Sequence, residues 1–217
     1  MSVVYLVRHG QASFGTDDYD RLSTLGHEQA RITGEHLSSQ EVQPTRIVHG
    51  EMLRQRQTAA GVLTGLRTEP KGEVDAGWNE FDASELVNAL SESDPRASTD
   101  STIFQRVLEQ ACARWAAGAH DADYTETFTA FTNRVDRALD DVCTRMKSGE
   151  STVVVSSSGA IAWTAARLLG AGFDQWLTLN RVTINSGVTK IITGARGTSL
   201  ISFNDHGHLS PAQVTYR

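Results

Sequence analysis

Cysteine and proline are both scarce in this chain of 217 residues, with 2 of the first and 4 of the second. Cys112 and Cys143 lie far apart in sequence and show neither metal-ligand spacing nor a disulfide framework, so a reduced, cytoplasmic interior is expected. No apolar stretch approaches the roughly 18 residues of a membrane span. The amino terminus runs straight into a strand, which leaves no room for a cleaved signal and predicts a cytoplasmic protein with no membrane partner. Positive charge is short as well. Lys and Arg number 20 against 26 Asp and Glu, a formal net charge of −6, and no basic cluster offsets it locally. These features argue against a nucleic-acid-binding surface. Neither the histidines nor the acids are spaced as metal ligands, so no metal or other cofactor is expected.

What remains is enough for one substantial core. With 39% hydrophobic residues and 18 glycines, residues 1–217 read as a single α/β domain. The most informative stretch is Val3-Val4-Tyr5-Leu6-Val7 followed by Arg8-His9-Gly10. An apolar, β-branched run that ends in a cation, an imidazole and a glycine puts reactive groups at the carboxyl end of a buried strand, where α/β folds hold ligands. Arg8 offers a planar fork of donors suited to phosphoryl oxygens, and His9 a ring nitrogen able to attack phosphorus. Gly10 allows close backbone approach. An ordinary strand-to-loop turn with an exposed Arg and His is the plainer reading of this tripeptide alone.

Three further segments make it specific. Arg21-Leu22-Ser23-Thr24-Leu25-Gly26-His27-Glu28-Gln29-Ala30 is followed by Leu53-Arg54-Gln55-Arg56-Gln57-Thr58-Ala59 and by Gly77-Trp78-Asn79-Glu80-Phe81-Asp82. In order and spacing they resemble the histidine phosphatase superfamily, the phosphoglycerate mutase-like family. Its markers are R-H-G, L-T-x-x-G-x-x-Q-A, R-A-x-Q-T-A and an acid in the following loop. The resemblance runs from about Val3 to about Leu209. Two departures stand out. The second catalytic histidine of the family sits in S-H-G-G after a late strand, whereas this chain reads Ser156-Ser157-Ser158-Gly159, with Ser157 at the histidine position. Gly15 stands where many members carry asparagine.

The pattern of elements predicts a three-layer α/β/α sandwich with a mostly parallel sheet and an antiparallel edge. Strands are expected at 3–7, 46–49 and 151–156, helices at 24–39, 52–66 and 159–169, and a hairpin of 188–192 and 200–203 around 194–197. A helical, cap-like region covers about 83–147, with Phe104 to Trp115 and Phe128 to Val142 recurring at helical spacing. Its aromatic stripe reads as core. The polar stretch 91–101 reads as a loop at the edge of a lid, and the loop from Gly10 to Arg21 is left for substrate.

The resemblance implies a phosphomonoesterase that forms a phosphohistidine at His9 and acts on a small phosphorylated metabolite. Arg8 and Arg54 would clamp the phosphoryl oxygens and Glu80 would protonate the leaving alcohol, with Asp82 its nearest substitute. Gly10, Gln11, Ser157, Ser158 and His49 would complete the phosphate and substrate contacts. A serine at 157 donates a weaker bond than an imidazolium, a loss of about 3 kcal/mol in the transition state unless the helix amides compensate. His49, His206 and His208 are the imidazoles available to fill that gap; each also has a purely structural reading. Arg54 reads alternatively as a helix-surface ion pair, as Arg56 does, Glu80 as a solvated loop acid, and the serines as helix caps. A phosphate-ligand binding protein without useful turnover is the alternative function, and a phosphoglycerate-type mutase a third. Edge strands of such a sheet can pair into a homodimer.

Overall fold

The computed structural model describes residues 1–13, 20–90, 96 and 101–216, apart from the side chain of Ser101. Gly15, much of the loop expected to meet substrate and most of the polar stretch 91–101 lie outside the described residues. The described chain divides into two compact units, Met1–Glu80 with Val135–Arg217, and Phe81–Arg134.

The first unit is built on a six-stranded sheet in the order β3-β2-β4-β1-β5-β6, where β1 is Ser2–Arg8, β2 Arg46–His49, β3 Lys71–Val74, β4 Ser151–Ser156, β5 Val188–Gly194 and β6 Gly197–Asp205. β1 to β4 run parallel, and β5 lies antiparallel between β1 and β6. The predicted mixed α/β sheet is thus present, with its antiparallel edge. The central strands are apolar through their middles because both faces are covered. Tyr5, Val7, Ile47, Val153 and Val155 meet Leu37, Ala59 and Val62 on one side. Val4, Leu6, Val48 and Val154 alternate with them and are equally buried.

Helix α1, Thr24–Ser39, starts where Ser23 accepts the Gly26 amide at 3.0 Å. Helix α2 is Leu53–Gly65. In the second unit Asp82 caps the short α3, Ala83–Asn88, by accepting the Ser84 and Glu85 amides at 2.9 Å. That unit also holds α4, Ser101–Ala116, and the start of α5, Phe128–Thr144. Trp115 lies at its centre, with ring centroids 5.1 to 5.4 Å from Phe81, Phe128 and Phe131. After β4 come α6, Ser158–Leu168, and α7, Phe173–Val182, joined by Trp176 Nε1 donating to Gly159 O at 2.9 Å.

Two elements of the first unit escape the sequence pattern. β3 reads Lys-Gly-Glu-Val, an exposed edge strand with no apolar run to announce it. α7 buries only Trp176, so its helical stripe is thin. The hairpin is also longer than expected, because Gly194 and Gly197 pair in the ladder and leave only Ala195 and Arg196 as the turn.

Candidate active site

β1 and β4 end level with each other. Arg8 pairs with Ser156, and the next amide, that of His9, donates to Ser156 O at 2.8 Å. His9-Gly10 and Ser157-Ser158 therefore leave the sheet side by side at its carboxyl edge, where ligands of α/β folds bind. The chain after β2 reaches the same edge, with the Gly50 amide 3.4 Å from Val155 O. Gly10 donates its amide to Thr58 Oγ1 at 3.0 Å, and its Cα rests on the first turn of α1. A Cβ there would stand 2.3 Å from Gly26 O, and one on Gly26 would stand 2.2 Å from Gln11 O.

His9 is 6% exposed. Its Nδ1 lies 2.7 Å from Gly10 O, an oxygen that can only accept, so Nδ1 carries the proton and Nε2 the lone pair. Burial, then the positive charges of Arg54 and Arg8, hold its pKa well below the usual histidine range, with the Gly10 carbonyl pulling the other way. The imidazole is thus neutral and aimed through Nε2. Arg54 Nε donates to that nitrogen at 3.2 Å.

Arg54 itself is held by Asp20, whose Oδ1 lies 2.6 Å from Nη1 while Oδ2 accepts the Leu53 amide at 2.7 Å. Arg8 is nearly buried, and its Nη1 donates to Thr183 O and, at 2.9 Å, to Tyr216 O. Glu80 reaches the amino terminus of α6, where Oε2 accepts the Gly159 amide at 2.8 Å and the Ser158 hydroxyl at 3.3 Å.

Ser157 has a neighbour from α2. Gln55, fully buried on α2, places Nε2 2.9 Å from Ser157 Oγ and 3.0 Å from Trp78 O. None of the three candidate imidazoles has a described hydrogen bond to His9. His49 stands on a strand separated from β1 by β4, and its Nδ1 meets Gly50 O at 2.7 Å. His206 meets Asn204 O at 2.8 Å. His208 stacks on His36 at 4.9 Å and bonds Thr33 Oγ1 at 3.1 Å, which fastens it to α1. Gln11 is likewise drawn to α1, its Oε1 accepting from Ser23 Oγ at 2.9 Å. Arg56 is exposed.

His9, Arg54, Glu80, Ser157 and Ser158 thus gather around the carboxyl ends of β1 and β4, while the Gln11 side chain turns to Ser23 and His49 stands two strands away at the end of β2. Asp20 and Gln55 are the residues that sequence reasoning missed. Gln55 carried a readable signal, since R-A-x-Q-T-A has alanine at its place. Asp20, just ahead of Arg21-Leu22, carried none. Among the described residues no group of three or more His, Cys, Asp or Glu could hold a metal ion, and no helix is long and apolar enough to cross a membrane.

Comparison with known proteins bears on the family and the fold. Residues 4–206 match the family description "Histidine phosphatase superfamily (branch 1)". The mitochondrial serine/threonine-protein phosphatase Pgam5 of Caenorhabditis briggsae is 24% identical over 215 residues, 98% of this chain. The chain spans 66% of that protein's length. Among solved structures, Bacillus stearothermophilus YhfR superposes with a TM-score of 0.70 at 19% identity, over 96% of this chain and 99% of that one. A phosphoserine phosphatase from Entamoeba histolytica, in complex with phosphoserine, gives 0.66 at 19% identity over 97% and 100%. With the family match covering nearly the whole sequence, and with the sheet and the R-H-G strand end in place, the chain belongs to the histidine phosphatase superfamily, branch 1.

Proposed function

We propose that the protein is a phosphomonoesterase that works through a phosphohistidine on a small phosphorylated metabolite. The observation that carries this reading is His9, neutral, protonated on Nδ1, and presenting Nε2 to the Arg54 guanidinium at 3.2 Å. A binding site for phosphate needs no such nucleophile. The phosphoryl group would take the place of Nε2 on the guanidinium, so its equatorial oxygens gain the charge as Nε2 attacks. The N–P bond forms as the ester P–O bond breaks. With Glu80 Oε2 held by Ser158 and Gly159, Oε1 is the oxygen that carries the proton to the departing alkoxide. Water then attacks phosphorus, Glu80 takes its proton, and the N–P electrons return to His9 with release of inorganic phosphate.

The phosphoserine bound by the similar Entamoeba enzyme supports a small substrate. Ser157 favours the second reading, a phosphate-ligand binding protein, because it replaces a charged donor with a neutral one. Hydrolysis of an activated aryl phosphate by wild type and His9→Ala, without added metal and from moderately acidic to neutral pH, separates the two. Turnover that disappears with His9 is expected. Equal inertness of both proteins would favour binding without catalysis.

A further inference from the structure

Ser157 occupies the N-cap position of α6 with extended dihedrals, φ −122° and ψ 171°, yet its side chain makes no capping hydrogen bond. The amide such a cap serves, that of Gly159, is taken by Glu80 at 2.8 Å. That amide is therefore satisfied from outside, and the serine hydroxyl is not spent on it. Gln55 Nε2 lies 2.9 Å from it instead.

The direction of that bond is fixed by a third group. Gln55 Nε2 also meets Trp78 O at 3.0 Å, and a carbonyl only accepts. Turning the amide over would set two oxygens against each other, so the nitrogen faces Ser157 and Ser157 Oγ accepts. Its own proton points elsewhere, and among the described residues the hydroxyl makes no second side-chain hydrogen bond. The amide oxygen of Gln55 is buried and has no hydrogen-bond partner among the described residues, so the polar contacts of this side chain are those of its nitrogen. Gln55, where the R-A-x-Q-T-A marker has alanine, and Ser157, where the family has histidine, touch each other.

Resting on the phosphatase reading above, we propose that Gln55 is a positioning residue: it fixes Ser157 so that the hydroxyl proton is presented to the phosphoryl group beside His9. The pair stands in for the second imidazole by filling its space and supplying a neutral donor. Ser157→His alone is then an obstructed change, because the ring must enter where the Gln55 amide already lies 2.9 Å from Oγ.

The test uses the full chain with Ser157→Ala, Gln55→Leu and the two together, read both as kcat on an alkyl phosphate and as affinity for orthovanadate by calorimetry. Gln55→Leu keeps most of the buried volume, and Gln55→Met replaces it if the first does not fold. Each single variant should lower kcat and weaken vanadate binding about tenfold, the scale of one hydrogen bond, and the double variant should be no worse than Ser157→Ala. A merely structural Gln55 would slow the Ser157→Ala background as much as the wild type, and that additive result overturns the proposal. Ser157→His should be slower than wild type and should recover at least tenfold when Gln55→Ala is added; a gain from Ser157→His alone also overturns it. If the wild type shows no His9-dependent turnover, the phosphatase reading fails, while the vanadate affinities still decide the role of Gln55.

Discussion

Exchanging Glu80 for glutamine separates proton donation from everything else this side chain does. Its Oε2 accepts the Gly159 amide at 2.8 Å and the Ser158 hydroxyl at 3.3 Å, and an amide oxygen can accept the same two donors. Glu80→Gln therefore keeps the geometry at the start of α6. The lost charge at a half-buried helix end costs under about 1 kcal/mol, a fall of roughly 2–4 °C in Tm for a chain of this size. What the amide cannot do is give up a proton. A general acid contributes about 10²- to 10⁴-fold, or roughly 3–5 kcal/mol, but only when the leaving group needs it. An alkoxide needs it; p-nitrophenolate leaves unaided. The expected outcome is a drop in kcat/KM of about 10²- to 10⁴-fold for glycerol phosphate and less than about tenfold for p-nitrophenyl phosphate. The ratio kcat/KM is the right measure, because it reports the step that breaks the ester and is blind to slower hydrolysis of the phosphohistidine. That second step should also suffer, and a burst of p-nitrophenolate would reveal it. Equal losses in kcat/KM for the two esters would refute the acid role and leave Glu80 as the external cap of α6.

Two other outcomes are expected. Asp20→Asn removes the carboxylate 2.6 Å from Arg54 Nη1, in a pair whose side chains are 11% and 40% exposed, so about 1 kcal/mol is at stake. Arg54 then has more charge to offer, and inorganic phosphate should inhibit about three- to fivefold more strongly; weaker inhibition would show that Asp20 serves to position the guanidinium. Burial, with the neighbouring His36, lowers the His208 pKa to about 4. Its folded-state value is thus depressed, so its stabilisation is complete above the ordinary histidine range and is lost as pH falls from about 6.5 toward 4. Urea unfolding at pH 7 and 4.5 should show His208→Gln losing about 1 kcal/mol less than wild type, after discounting for the partly exposed ring; identical losses would exclude His208.

The sequence discloses what is local. β1 is a continuous apolar run, α1 spans the expected 24–39, and the reactive tripeptide stands where the strand must end. β3 is invisible because an edge strand of Lys-Gly-Glu-Val carries no alternation to detect. The same limit applies to the site. His9 and Arg54 are legible as members of separate motifs, but that Asp20 holds Arg54 depends on residues 34 positions apart meeting in space. Gln55 and Ser157, 102 positions apart, each look like an isolated departure, and only the fold shows them to be one feature.

The contact between Gly10 and Gly26 limits how this chain can vary. Each glycine faces a backbone carbonyl, 2.3 and 2.2 Å from where a side chain would begin, so neither clash can be relieved by trimming a neighbour's side chain. Ordinary core positions drift in pairs, one residue growing as its partner shrinks. This junction has nothing to trade. Random mutagenesis with selection for activity should return variants across the surrounding core while leaving both glycines unsubstituted, and second-site suppressors of either should not arise within α1. The placement of the nucleophile is thereby insulated from repacking around it, which leaves the rest of the pocket free to change substrate without moving His9.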